Sequence, residues 1–272
     1  MLTPLDAKYG RLQRLLAEGG PTLVCYSGGV DSALLLKVAV DVLGEGAVAL
    51  TAVSPSLAGE EREAAARLAR QIGARQVEVE TREMDDPGYV ANSPRRCYFC
   101  KTALFVEARR QAEALGLRTI VYGANADDAH DFRPGAQAAA EFGVRGPLAE
   151  AGFTKADVRE LSRRLGLPTA EKPAQPCLAS RLPYGTEVTV ERLRTIDRGE
   201  SALRGLGFRE LRVRHHGDVA RLELPLADLP RLLEPDVREA VVAALREAGF
   251  RHVTVDLQGL RSGSLNEGVV RV

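Results

Sequence analysis

Thr22-Leu23-Val24-Cys25-Tyr26-Ser27-Gly28-Gly29-Val30-Asp31-Ser32 decides the fold. Its first five residues form a short apolar run that predicts a buried strand over 22–26, and the spacing predicts a helix over 32–43. Between them lie two glycines and two hydroxyls. The glycines let the backbone approach phosphate oxygens, while the hydroxyls and the helix N-terminus offer donors and positive dipole to a pyrophosphate. The loop lacks the Lys of a Walker loop and is not G-x-G-x-x-G, so neither a phosphate-transferring P-loop nor a dinucleotide fold is the best match. A tight strand-to-helix turn with a Ser cap is the plainer alternative.

Outward from this loop, strands alternate with helices. Residues 47–53, 75–79 and 119–122 read as strands and 60–72 as a helix; 93–115 holds a cysteine pair leading into a helix. This alternation predicts an α/β fold with a doubly wound parallel sheet and a ligand crevice at the carboxyl ends of its strands. After Phe153 the pattern changes. Residues 154–165 read as a helix with Thr154 as N-cap and Asp157 as a weaker relative of the capping-box acid. Four prolines between 168 and 183 argue against regular structure. Beyond them, a helix at 190–206, a hairpin turning at Gly217 and Asp218, a helix at 235–248 and a strand at 252–257 predict a smaller C-terminal α+β domain.

With 45% hydrophobic residues, a chain of 272 residues can bury one large core or two small ones. Basic and acidic residues balance at 37 each, so no global field draws the chain to nucleic acid or an anionic membrane. Trp is absent and aromatics are only 5%, which disfavours base stacking on aromatic platforms. No run of 18 apolar residues occurs, and Met1–Tyr9 shows no basic stretch followed by an apolar one. A soluble, cytoplasmic protein with neither nucleic acid nor membrane as partner is expected. Four cysteines are too few for a disulfide framework in this length, so they are thiols, metal ligands or reactive groups.

Cys97 and Cys100 have the C-x-x-C spacing that clasps one metal, and Cys177 makes a third ligand. A structural zinc site with a fourth ligand, or a redox pair, remains the alternative. Cys25, inside the first strand, reads as a packed core thiol. Asp127 and Asp128 follow a strand end, where carboxylates hold Mg²⁺ on ATP phosphates, orient a substrate, or simply line a solvated turn. Arg181, four residues after Cys177, is placed to pair with a phosphate or carboxylate. Arg212 and Arg214 share one face of a strand, as a phosphate clamp or an exposed strand face would require. Glu200 and Glu223 are weaker divalent-cation candidates. His130, His215, His216 and His252 show no ligand spacing.

The hexapeptide 27–32 resembles the PP-loop of the ATP pyrophosphatase superfamily, whose members cleave ATP between the α and β phosphates to adenylylate an acceptor. Downstream, Gly123-Ala124-Asn125-Ala126-Asp127-Asp128, Asp131-Phe132-Arg133-Pro134-Gly135, Lys172-Pro173-Ala174-Gln175-Pro176-Cys177-Leu178-Ala179-Ser180-Arg181 and Asp256-Leu257-Gln258-Gly259-Leu260-Arg261-Ser262-Gly263-Ser264 follow in order. Together, over roughly 22–266, they resemble the LarE family of ATP-dependent sulfur transferases, which help make the nickel-pincer cofactor of lactate racemase.

That resemblance implies an adenine nucleotide α-hydrolase-like domain over 1–168, an active-site segment over 169–185 carrying Cys177, and a substrate and assembly domain over 186–272. It implies ATP with Mg²⁺ at Ser27, Gly28, Gly29, Val30, Asp31, Ser32 and Asn125. The implied substrate is pyridinium-3,5-biscarboxylic acid mononucleotide, met by Asp127, Asp128, Arg181, Arg212 and Arg214 and converted to a thiocarboxylate. Cys177 matches the family's sulfur-donating cysteine, which in one form is sacrificed to dehydroalanine. In a second form, as in iron–sulfur tRNA thiolases of the same fold, three cysteines hold a 4Fe–4S cluster whose unique iron carries an extra sulfide. C-x-x-C would be idle in the sacrificial form, so the cluster on Cys97, Cys100 and Cys177 is the expectation. A homo-oligomer working with other nickel-pincer cofactor proteins is also implied. The rivals are a PP-loop tRNA thiolase and a non-catalytic nucleotide sensor.

Overall fold

The computed structural model describes residues 3–130 and 134–261. Asp131-Phe132-Arg133 and Ser262-Gly263-Ser264, both part of the resemblance, and Asn266 at its end lie outside the described residues. So does the His130 side chain.

In chain order the helices and strands begin α1 (Pro4–Gly19), β1 (Thr22–Cys25), α2 (Val30–Leu43), β2 (Ala47–Val53), α3 (Gly59–Ile72), β3 (Arg75–Glu80), α4 (Pro87–Val90). There follow α5 (Arg96–Leu115), β4 (Thr119–Tyr122), α6 (Pro134–Phe142), α7 (Pro147–Glu150) and α8 (Lys155–Arg164). The last are α9 (Val190–Gly205), β5 (Arg212–His216), β6 (Val219–Glu223), α10 (Leu229–Leu232), α11 (Pro235–Ala248) and β7 (His252–Val255). They form two compact units. Among the described residues, one holds the chain up to Ser54 with Gly59–Asp86 and Arg95–Gln175; the other holds Pro55–Ala58, Pro87–Pro94 and the chain from Pro176 as far as Arg261.

In the first unit four parallel strands lie in the order β3-β2-β1-β4. β1 is buried along its whole length because both faces of the sheet are covered, which is why its sequence is apolar without alternation. Leu23 and Cys25 join one core with Leu50, Phe105 and Ala108, whereas Val24 joins the opposite core with Leu12, Leu34 and Ala49. The doubly wound α/β architecture predicted from the sequence is therefore present. From β1 the chain runs outward to β2 and β3 on one side, while β4 docks on the other. The strand order thus reverses at β1 and β4, and such a switch point opens a crevice beyond the strand ends.

Helix starts follow local chemistry. Thr3 and Asp6 cap α1 reciprocally, and Pro4 occupies its first turn. On α8, Thr154 accepts the Asp157 N–H while Asp157 accepts the Thr154 N–H, so the capping box is complete with Asp in the Glu role. α5 starts at Arg96 and includes both cysteines of the C-x-x-C pair in its first turns, one step earlier than the expected lead-in.

The second unit packs α9 and α11 on a three-stranded sheet, β5-β6-β7. β5 and β6 form the antiparallel hairpin predicted at Gly217-Asp218, and β7 adds parallel to β6. Leu203, Phe208, Val213, Leu222, Leu245 and Phe250 fill its core. No described helix is long and apolar enough to cross a membrane.

Candidate functional site

The loop after β1 is tighter than expected, because α2 already begins at Val30. Gly29 stands at its N-cap with extended backbone and no side chain to occupy the first N–H groups, which leaves the positive end of a 14-residue helix facing the loop. Ser32 Oγ accepts the Ser27 N–H at 3.2 Å, lies 3.2 Å from Ser27 Oγ and donates to the Gly29 carbonyl at 3.1 Å. Two glycines permit the shape. Gly28 has φ +72°, and a Cβ there would lie 2.8 Å from the Ala65 methyl. A Cβ on Gly123, just past β4, would lie 2.8 Å from the Ser32 nitrogen. β4 therefore delivers its following loop directly against the first turn of α2.

That second loop meets Asp31. Asn125 Nδ2 donates to Asp31 Oδ1 at 3.1 Å, and Lys155 Nζ donates to Asp31 Oδ2 at 2.5 Å. Asn125 Oδ1 accepts the Asp127 N–H at 3.0 Å, and Asp128 Oδ2 accepts the Asn125 N–H at 3.1 Å. Asp127 Oδ2 in turn accepts the Lys155 backbone N–H at 2.8 Å, at the start of α8. The two expected substrate carboxylates thus brace the loop and the helix that present Asn125 and Lys155. Lys155 was missed in the sequence. Its signal was a lysine immediately after an N-cap, where the helix dipole favours acids. On the other side of Gly28, Lys172 Nζ donates to its carbonyl at 3.2 Å and to Glu61 Oε2 at 2.6 Å.

All four cysteines are thiols. Burial pushes the Cys25 thiol up to about 12, which fits a core residue and not a ligand. Cys97 is exposed and Cys100 half-buried, one turn apart on α5, so both thiols suit a soft metal. In the second unit Cys177 is exposed at the N-cap of a short turn, Leu178–Arg181. Among the described residues no group of three His, Cys, Asp or Glu side chains is gathered as a metal site.

Arg181 is 2% exposed and its guanidinium is occupied from within the second unit. Nε and Nη2 donate to the two oxygens of Glu200 at 2.8 and 2.9 Å; Nη1 donates to the carbonyls of Pro176 and Cys177 and to Ser180 Oγ. Expected to meet the substrate, it instead fixes the backbone that carries Cys177. Glu200 also accepts from Arg204 and the Val213 N–H, and Glu223 accepts from Arg214 and Arg221. The two carboxylates expected to attract a divalent cation are therefore each held by two guanidiniums. Burial raises the Glu200 carboxyl, but the hydrogen bond and charge of Arg181 and the Val213 N–H outweigh it and hold the group below the ordinary glutamate range. Its stabilising contribution is complete above that range and is lost as the pH falls through the lowered value.

Replacing Glu200 by Ala leaves Arg181 buried without its carboxylate. Equilibrium urea unfolding should show a loss of about 3–5 kcal/mol. Restoring most of it with Arg181→Met added in the same chain would confirm the pair, and a loss under about 1 kcal/mol, typical of an exposed pair, would contradict it.

Arg212 lies beside this pair with 8% exposure. Burial, together with the charges of Arg181 and Arg214, pushes its guanidinium down to about 10 despite Glu200 and Glu223. Arg181 and Arg204 thus meet Glu200, Arg214 and Arg221 meet Glu223, and Arg212 lies among them. Arg212 Nη1 donates to the Leu211 carbonyl at 2.8 Å, and Arg214 donates to the Ser180 carbonyl and to Glu223.

No protein-family model matches the chain. A protein of Synechocystis described as uncharacterized is 48% identical over 262 residues, which is 96% of this chain and 98% of that protein. Pyridinium-3,5-bisthiocarboxylic acid mononucleotide synthase of Lactiplantibacillus plantarum is 36% identical over 271 residues, 99% of this chain and 98% of that protein. The chain belongs to the LarE family. An uncharacterized protein of Methanocaldococcus jannaschii is 27% identical over 240 residues, 88% of this chain and 90% of its own. The match to the synthase covers 99% of the chain and so spans both units.

Proposed function

We propose that this LarE-family protein uses ATP to activate a carboxylate of pyridinium-3,5-biscarboxylic acid mononucleotide and replaces one of its oxygens with sulfur. The observation that carries this is the uncapped start of α2, with Ser27, Ser32, Asp31 and Asn125 converging on it at the sheet's switch point, in a chain matched end to end by a named synthase.

The chemistry follows from the groups present. Backbone N–H groups at Gly28, Gly29 and Val30 and the two serine hydroxyls hold the pyrophosphate portion of MgATP, and Asp31 faces its metal. A substrate carboxylate oxygen attacks the α-phosphorus, pyrophosphate departs, and an acyl adenylate results. A sulfur nucleophile then attacks the carbonyl carbon and AMP leaves with the former carboxylate oxygen. In the sacrificial form the Cys177 thiolate makes a thioester, and loss of its α-proton permits C–S cleavage to dehydroalanine and a thiocarboxylate. In the cluster form, which the resemblance implies, Cys97, Cys100 and Cys177 would be the ligands, and a bound cluster would supply the sulfide nucleophile in place of the Cys177 sulfur. The division of labour is then nucleotide activation by 1–168, sulfur delivery by 169–185, and recognition of the mononucleotide phosphate by 186–272 through Arg212 and Arg214.

Purified protein should release AMP and pyrophosphate from MgATP when the pyridinium mononucleotide is added. Stimulation by tRNA in its place would make it a tRNA thiolase, and ATP binding without any hydrolysis would make it a sensor. Arg212→Ala should raise KM for the mononucleotide about 10- to 100-fold while kcat changes much less, because a remote phosphate contact contributes mainly uniform binding of about 1.5–3 kcal/mol. Unchanged kinetics would remove Arg212 from the phosphate site.

A further inference from the structure

We propose that Lys155 is the phosphate cation that the loop itself lacks, and that it exchanges Asp31 for the pyrophosphate portion of ATP when the nucleotide enters. This rests on the assignment of the Ser27–Ser32 loop as a nucleotide site.

The placement of Lys155 is the first argument. It is the first residue of α8, at the positive end of a 10-residue helix. A cation at that position is opposed by the helix dipole. The fold compensates with two carboxylates: Asp127 takes the Lys155 backbone N–H, and Asp31 takes its ammonium. Asp127 therefore anchors the base of the side chain while the four-carbon stem remains able to swing.

The second argument is the modest strength of the bond to be exchanged. The Lys155 side chain is 40% exposed and that of Asp31 21%. A pair so open to solvent is weak, because water screens its charges. A polyphosphate carries more charge than one carboxylate, so the ammonium gains by moving to it. The exchange also uncovers Asp31, on the first turn of α2, for the metal that accompanies the nucleotide. Lys172, the other lysine on the loop, is already bonded to Glu61 and to the Gly28 carbonyl, so its release would cost a backbone contact of the loop.

The test is titration calorimetry of the full chain with MgATP, magnesium pyrophosphate and AMP, for wild type, Lys155→Gln and Lys155→Arg. Lys155→Gln should weaken ATP and pyrophosphate about tenfold or more, leave AMP within about twofold, and Lys155→Arg should recover most of the loss. Equal weakening of all three ligands would reduce Lys155 to a brace of the loop and overturn the proposal, as would no weakening at all. Wild-type protein that binds neither ATP nor pyrophosphate would overturn the nucleotide site itself, and the role of Lys155 with it.

Discussion

Replacing Cys177 by alanine is expected to abolish thiocarboxylate formation while leaving substrate-stimulated pyrophosphate release in place. The thiol is exposed at the head of its turn, and the turn is fixed through the backbone, by Arg181 on the Pro176 and Cys177 carbonyls and by the Leu178 N–H on the Ser56 carbonyl. Removing the sulfur therefore subtracts chemistry and spares the fold. Cys25 offers no substitute, since burial keeps its thiol protonated. The companion variants separate the two sulfur sources. If Cys97→Ala and Cys100→Ala lose sulfur transfer together with iron and brown absorbance, the cluster is required. If both keep activity, and wild type shows dehydroalanine at Cys177 after turnover, the sacrificial route operates. A Cys177→Ala protein that still makes thiocarboxylate would contradict both.

Asp31→Ala should lower AMP formation by about 100- to 1000-fold, the scale lost when one preorganised charged group is taken from a transition state. Asp31 faces the metal of the bound nucleotide and holds Asn125 to the loop, so its loss removes a carboxylate from the metal and releases Asn125. It lies outside the apolar cores, so circular dichroism and the unfolding midpoint should stay near wild type. Combined Ser27→Ala and Ser32→Ala should act in the same direction. AMP formation within about tenfold of wild type, with the fold intact, would take Asp31 out of the site.

Much of the fold was legible because its signals are local. A central parallel strand covered on both faces writes itself as a continuous apolar run, as Leu23, Val24 and Cys25 do, and a phosphate loop announces itself by glycines and hydroxyls between strand and helix. The β5–β6 turn and the α8 cap are equally local. Partnerships at long range left no such mark. Lys155 reaches Asp31 across 124 positions, and only the adjacency of β1 and β4 with the docking of α8 brings them together. Arg181 and Glu200 looked like separate ligand candidates because each residue type binds ions. Their mutual bond across 19 positions arises once the Cys177 turn packs in the second unit, where burial makes pairing obligatory. Asp127 and Asp128 showed the right residue type at a strand end, and the sequence could not show that each also accepts a backbone N–H, from Lys155 and from Asn125.

The measurement that tests the central claim most directly is isotope transfer from the substrate. Pyridinium-3,5-biscarboxylic acid mononucleotide labelled with oxygen-18 in its carboxylates, incubated anaerobically with the protein and MgATP, should yield AMP carrying one labelled oxygen for each carboxylate oxygen replaced by sulfur, alongside unlabelled pyrophosphate. Label-free AMP, or ADP and phosphate as the nucleotide products, would show that the carboxylate is never adenylylated and would contradict the assignment of this chain as an ATP-dependent sulfur transferase.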